Sequence, residues 1–193
     1  MTTTAASADS TVTHESHAVF FCAGRDSGPW PDQIMPLVAV ARARGFFVES
    51  LDFTGVADPD LRAEQLRNSR ASEFPCLILA GRSMGGYVAT VAAETLKPAG
   101  LFLLAPALYL EGYRNQDPHP QAGLISVVHA WQDELVPAEH SLRFARQHHA
   151  QLHLISGDHG LAGQMPYVAS LFGFFLDEAC KEATPPQIAH KLP

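Results

Sequence analysis

The sequence predicts a single-domain, three-layer α/β/α sandwich whose sheet of about six strands is mostly or wholly parallel. Three observations predict it. Short apolar runs alternate with longer segments of helical period over residues 17–182, the pattern of βαβ units whose strands are covered on both faces. The chain has 193 residues, 47% hydrophobic and 17% charged, enough for one core that buries about 70% of the unfolded surface. Pro31, Pro59 and Pro166 open three of the helical segments, where a missing N–H costs nothing.

In chain order, the first strand is read at AVFFCAG (18–24), followed by a helix near Pro31–Arg44. FFVESLDF (46–53) is the second strand and Pro59–Arg70 the second helix. PCLILAG (75–81) precedes a helix of small residues, Gly85–Leu96, and GLFLLAP (100–106) follows it. Residues Tyr109–Gln121 have aromatic and proline breaks and no period, so a long loop over one end of the sheet is expected. LISVVHA (124–130), a helix at Ala138–His149, LHLIS (152–156) and a helix at Pro166–Cys180 complete the series. In the last helix, Phe172, Phe174 and Phe175 read first as core and second as a homodimer face. Residues 1–16, rich in Thr, Ser and Ala, read as a disordered tail, and 183–193, with Pro185-Pro186, as a flexible one.

A net charge of −7 and a pI near 5.7 argue against nucleic acid, which is recognised through its phosphates. Cys22, Cys76 and Cys180 are odd in number and widely spaced, which suggests buried thiols rather than a disulfide framework. The start lacks the basic and apolar segments of a secretory signal, and no run approaches a membrane span. A cytoplasmic protein without a membrane span is the expectation.

The chemistry is concentrated at the end of the third strand, where Gly81-Arg82-Ser83-Met84-Gly85 forms G-x-S-x-G between an apolar run and a helix. A serine on so tight a strand-to-helix turn leaves no room for side chains two positions either way, hence glycine at both. By composition alone the pattern arises by chance in about 6% of chains this long, so partners are needed. A nucleophilic serine requires a base, and the base an acid that fixes its tautomer. Asp133 follows the fifth strand and His159 follows the sixth, both where open α/β sheets gather their sites.

With these three motifs the chain resembles the α/β-hydrolase family over about residues 17–180, and within it the small members without a cap. The resemblance implies a reduced α/β-hydrolase fold. It assigns Ser83 as nucleophile, His159 as general base and then acid, and Asp133 as the orienting carboxylate. It also implies an oxyanion hole formed by the backbone N–H of Met84 and that of Arg25, with Asp26 as the alternative. Where relatives often carry His-Gly after the first strand, this chain has Ala23-Gly24.

Other residues compete for these roles. His129 is a rival base and Asp158 and Glu134 are rival acids, whereas position 107, near where some relatives hold the acid, is alanine. Arg82 reads either as a contact for an anionic substrate or as a tether under the loop. Tyr109, Tyr113, Trp131 and Met84 read as pocket lining or plain packing. His148, His149 and His153 lack a nearby acidic or cysteine partner in sequence, so no metal is expected. Tyr87 stands where a phosphate loop needs lysine, and no G-x-G-x-x-G follows any strand, so no cofactor is expected. The expected partner is a small-molecule acyl substrate, cleaved at an ester, thioester or related bond, with activity falling on acidification because only a neutral histidine is a base. Two alternatives stay open: a catalytically silent binding or partner-interaction protein on the same fold, and an acyltransferase using the same three residues.

Overall fold

Side chains of a strand alternate between the two faces of its sheet, and here both faces are apolar, so both must be covered. The computed structural model describes residues 16–181. The strands are β1 (His17–Cys22), β2 (Phe47–Ser50), β3 (Cys76–Arg82), β4 (Gly100–Leu104), β5 (Leu124–Ala130) and β6 (Gln151–Ile155). The helices are α1 (Met35–Ala43), α2 (Pro59–Arg67), α3 (Met84–Leu96), α4 (Ala138–His148) and α5 (Met165–Ala179). All six strands are parallel, in the order β2-β1-β3-β4-β5-β6.

Val19 and Phe21 of β1, Ile78 of β3 and Phe102 of β4 point to one face, where α1 brings Leu37 and α5 brings Phe172. Ala18, Phe20 and Cys22, with Leu79 and Leu103, point to the other, covered by α2, α3 and α4 through residues such as Leu66, Tyr87 and Phe144. The same alternation resolves the last helix. Phe172 and Phe175 are buried while Phe174, between them in sequence but on the opposite side of the helical wheel, is 73% exposed.

Several boundaries differ from those read in sequence. β2 ends at Ser50, where its pairing with β1 stops at Phe21 and where, at the sheet edge, it has no second partner, whereas β1 runs one residue further to Cys22, its last position paired with β3 at Gly81. The first helix opens with a 3-10 turn at Asp32–Ile34, and the second is interrupted after Arg67 before a 3-10 turn at Arg70–Glu73, whose Ser69 cap accepts from Ala71 N–H. The expected loop 109–121 contains no helix or strand and lies along α3: Asn115 N–H donates to the Tyr87 hydroxyl at 3.0 Å, and His119 N–H to Glu94 at 2.8 Å. Of the tail expected at residues 1–16 all but Ser16, and the whole of that expected at 183–193, lie outside the described residues. Among the described residues no helix is long and apolar enough to cross a membrane.

The crossover from β1 to β2 runs outward to the sheet edge, and the one from β2 to β3 returns past β1 to its other side. The loops after β1 and β3 therefore diverge, and a crevice opens at the carboxyl ends of these two strands, where ligands of such sheets bind.

Candidate active site

Ser83 follows β3 directly and caps α3 in the left-handed region, with φ 55° and ψ −122°. A non-glycine residue in such a conformation costs about 1–3 kcal/mol and persists only where its surroundings enforce it. Three backbone bonds do so here: Ser83 N–H donates to Leu104 O, while Ser83 O accepts from Ala107 N–H and Gly86 N–H, all at 2.9 Å. The neighbouring glycines are required by contact. A Cβ at Gly81 would overlap the Gly85 carbonyl, and one at Gly85 would overlap the Cys22 carbonyl of β1. One at Gly86 would press on Pro106 at 2.7 Å.

The other two residues come from the far side of the sheet. Ser83 Oγ lies 2.9 Å from His159 Nε2, and His159 Nδ1 lies 2.7 Å from Asp133 Oδ2. The Asp133 side chain is buried. Burial pushes its carboxyl upward, but hydrogen bonds from Val136 N–H, His159 and Leu135 N–H outweigh this and hold it below the ordinary carboxylate value. A carboxylate accepts only, so Nδ1 carries the imidazole proton and Nε2 presents a lone pair to the serine hydroxyl.

The two loops that carry Asp133 and His159 are stitched together by Gln132. Its N–H donates to Gly157 O at 3.1 Å, and its side-chain carbonyl accepts from Gly157 N–H at 2.9 Å. His129, the rival base, is fully buried under Asp133. Its Nε2 is 3.0 Å from Val136 O and 3.1 Å from Asp133 Oδ2, and its Nδ1 is 2.7 Å from Ser141 Oγ. Two acceptors at Nε2 require that nitrogen to be the donor, and burial lowers the pKa of the ring. His129 therefore sits as a neutral prop beneath the carboxylate. Asp158 turns away to accept from Gly160 N–H at 2.9 Å, and Glu134 is exposed.

On the β1 side, Gly24 stands next to the serine, since a Cβ there would lie 3.8 Å from Ser83 Cβ. The loop beyond it is held by Arg62 of α2, which is 3% exposed. Its guanidinium donates to Gly24 O at 3.2 Å, to Arg25 O at 2.7 Å and to Val56 O at 2.6 Å. In a trans peptide the C=O and the following N–H point in opposite directions. Tying down these two carbonyls therefore directs the N–H groups of Arg25 and Asp26 away from Arg62. Met84 N–H is the first in α3, at the positive end of the helix dipole, with no carbonyl one turn earlier in the helix. A cleft of about 410 Å³ borders the loop on its outer side, lined by Arg25, Asp26, Phe53, Gly55 and Arg62.

The remaining residues singled out in sequence are placed as follows. Arg82 runs beneath the site, where its Nη2 donates to His159 O at 3.3 Å, and burial lowers its pKa. This is the tether arrangement. Tyr109 packs on α4, with the Arg143 guanidinium 3.9 Å from its ring centre and its hydroxyl toward Gln147. Trp131 is 59% exposed at the end of β5. Neither is among the residues lining the cleft beside the β1 loop. Sequence reading passed over Arg62 and Gln132. Gln132 had one available signal, its place next to Asp133; Arg62, in a polar helix 37 residues after Arg25, had none.

No family model matches the chain, and no curated protein matches it in sequence. Solved structures do match. A protein described as a member of the alpha/beta hydrolase superfamily, from Xanthomonas campestris pv. campestris, is 29% identical and superposes with a TM-score of 0.74, over 84% of this chain and 99% of the other. An esterase from Pyrococcus furiosus is 19% identical with a TM-score of 0.69, over 86% and 85% of the two chains. An α/β serine hydrolase without lid from Xanthomonas campestris is 19% identical with a TM-score of 0.64, over 89% and 85%. The chain has the α/β-hydrolase fold in its lidless form.

Proposed function

We propose that the protein is a cofactor-independent serine hydrolase that cleaves an ester, thioester or related acyl bond through an acyl-enzyme. The observation that carries this reading is the continuous hydrogen-bond line from Ser83 Oγ through His159 to Asp133, at 2.9 and 2.7 Å, ending on a serine held at φ 55°. The similarity to esterases and other α/β hydrolases supports it.

In this reading Ser83 Oγ attacks the acyl carbon while its proton passes to His159 Nε2. Asp133 stabilises the imidazolium and keeps its orientation. The N–H groups of Met84 and Arg25 receive the developing oxyanion, with Asp26 N–H as the alternative second donor. His159 then protonates the leaving group, and water repeats the cycle on the acyl-enzyme, restoring Ser83 Oγ–H. The crevice at the carboxyl ends of β1 and β3 suits a small acyl substrate or an acyl group displayed on a larger molecule. The cleft beside Arg25 and Phe53 would take one end of it.

The test is intact-mass labelling of wild type and Ser83→Ala with a fluorophosphonate, followed by peptide mapping. One adduct on Ser83, absent in the variant, is expected. A folded wild type that takes up no adduct would overturn the proposal.

A further inference from the structure

At the amino ends of the strands, opposite the site, Cys76 and Cys180 meet although 104 residues separate them. Their sulfurs are 2.7 Å apart. Both positions are imposed by the core. Cys76 opens β3, pairs in register with His17 of β1, and donates its N–H to Ser16 O at 2.9 Å. Cys180 ends α5, whose seating is set by the buried Phe172, Phe175 and Leu176. A ring nitrogen of His17 completes the cluster, all three groups lying within 4.8 Å of one another. The acyl-transfer chemistry uses none of them. Cys76 opens the strand that Ser83 follows, seven residues earlier and about 23 Å away at strand rise.

We infer that Cys76 and Cys180 form a reversible disulfide that clamps the end of α5 to the start of β3, with a glutathione-type disulfide as oxidant. Cys180 is half-buried and Cys76 buried, so the oxidant meets Cys180 first. Its sulfur attacks one sulfur of glutathione disulfide as the thiol proton is withdrawn, a Cys180–glutathione bond forms, and the first glutathione leaves. Cys76 then attacks the Cys180 sulfur and the second glutathione leaves. Two cysteine thiols are oxidised, one glutathione disulfide is reduced to two thiols, and the two protons move from the cysteines to the departing glutathiones. His17 is placed to take the thiol proton. The contact between the two sulfurs lowers the Cys76 pKa against the effect of burial and raises that of Cys180, so Cys180 must hand its proton to His17 as it attacks, and Cys76 resolves as the thiolate. Cys22 makes the contrast: burial pushes its thiol up to about 12, and it stays unreactive.

The reduced full chain is incubated with glutathione disulfide, alkylated, and mapped without reduction. The expected result is a Cys76–Cys180 linked peptide in a protein lighter by two hydrogens. The melting temperature should rise by about 5–10 °C, since the closed loop is long, and fall back with dithiothreitol. Cys180→Ser, at the end of a helix, should remove the link and the shift. His17→Gln should slow closure several-fold, and an unchanged rate would strike His17 from the step. A stable glutathione adduct on Cys180 beside a free Cys76, two unreacted thiols, or zinc retained one per chain and lost in Cys180→Ser would each overturn the clamp. Fluorophosphonate labelling of Ser83 is expected to stay within about twofold on oxidation, given the separation along β3. The clamp therefore stands or falls independently of the hydrolase reading.

Discussion

The two halves of the candidate site are held by different means. On the β5–β6 side, Asp133 and His159 sit on loops joined by short hydrogen bonds among near neighbours: Gln132 with Gly157, Leu135 and Val136 with the carboxylate, His129 beneath it. On the β1 side, the loop that would supply the second oxyanion donor is fixed by one buried cation from α2, Arg62, which among the described residues binds carbonyls and no carboxylate at hydrogen-bond distance. The first arrangement is redundant and local. The second concentrates its function in one side chain, and removing that side chain leaves buried carbonyls without a partner.

The largest effect that would sharpen this contrast lies on the redundant side, at the reacting groups themselves. Asp133→Asn should lower kcat by about 10⁴-fold while the protein stays folded, because the amide stabilises the wrong imidazole tautomer. Steady-state kinetics on a chromogenic acyl ester measures it, and a loss below about tenfold would break the assignment of the acid.

Next comes Arg62→Met, which keeps an unbranched side chain and removes the three donated hydrogen bonds together with the guanidinium over the Phe53 ring. An oxyanion donor is worth about 10²-fold in kcat, and a loss of that order, with KM little changed, is expected. Arg62→Lys should recover part of it. If Arg62→Met retains full kcat, the β1 loop supports itself and the comparison fails. Gln132→Ala should cost about tenfold or less, because the other bonds on that side still hold the two loops.

The smallest effect concerns pH. His129, His148 and His153 all have pKa values lowered by burial. The unfolded chain therefore takes up their protons at a higher pH than the folded one. Their contribution to stability is complete above the ordinary histidine value of about 6.5 and is lost as pH falls below it. Asp133 is lowered in the same direction, so its contribution is also lost on acidification, but only below about pH 4. The melting temperature should thus drop by a few degrees between about pH 7 and 5, and His129→Gln should flatten that slope as well as lowering its starting point. A slope unchanged in His129→Gln would assign the drop to the other two histidines.

Much of this molecule was legible along the chain because its signals are local. The alternation of strands and helices, the glycines around Ser83 and the order Ser83, Asp133, His159 all follow from steric or chemical requirements that act within a few residues or at strand ends. Phe174 was read with Phe172 and Phe175 as one apolar group, yet helical period sets it on the outside. Strand ends also shifted, since β2 stops where its single partner stops, a matter of pairing and not of propensity.

What the sequence determined by itself is the layered parallel sheet and the identity of the three residues on one hydrogen-bond line, because burial on two faces and a serine on a tight turn each admit few residue patterns. What the tertiary structure alone decided is who supports them. Arg62 reaches the β1 loop from α2, and Cys180 reaches Cys76 across 104 residues. Such contacts arise only when helices are laid on the sheet, and contact between distant segments leaves no period or spacing in the chain to be read.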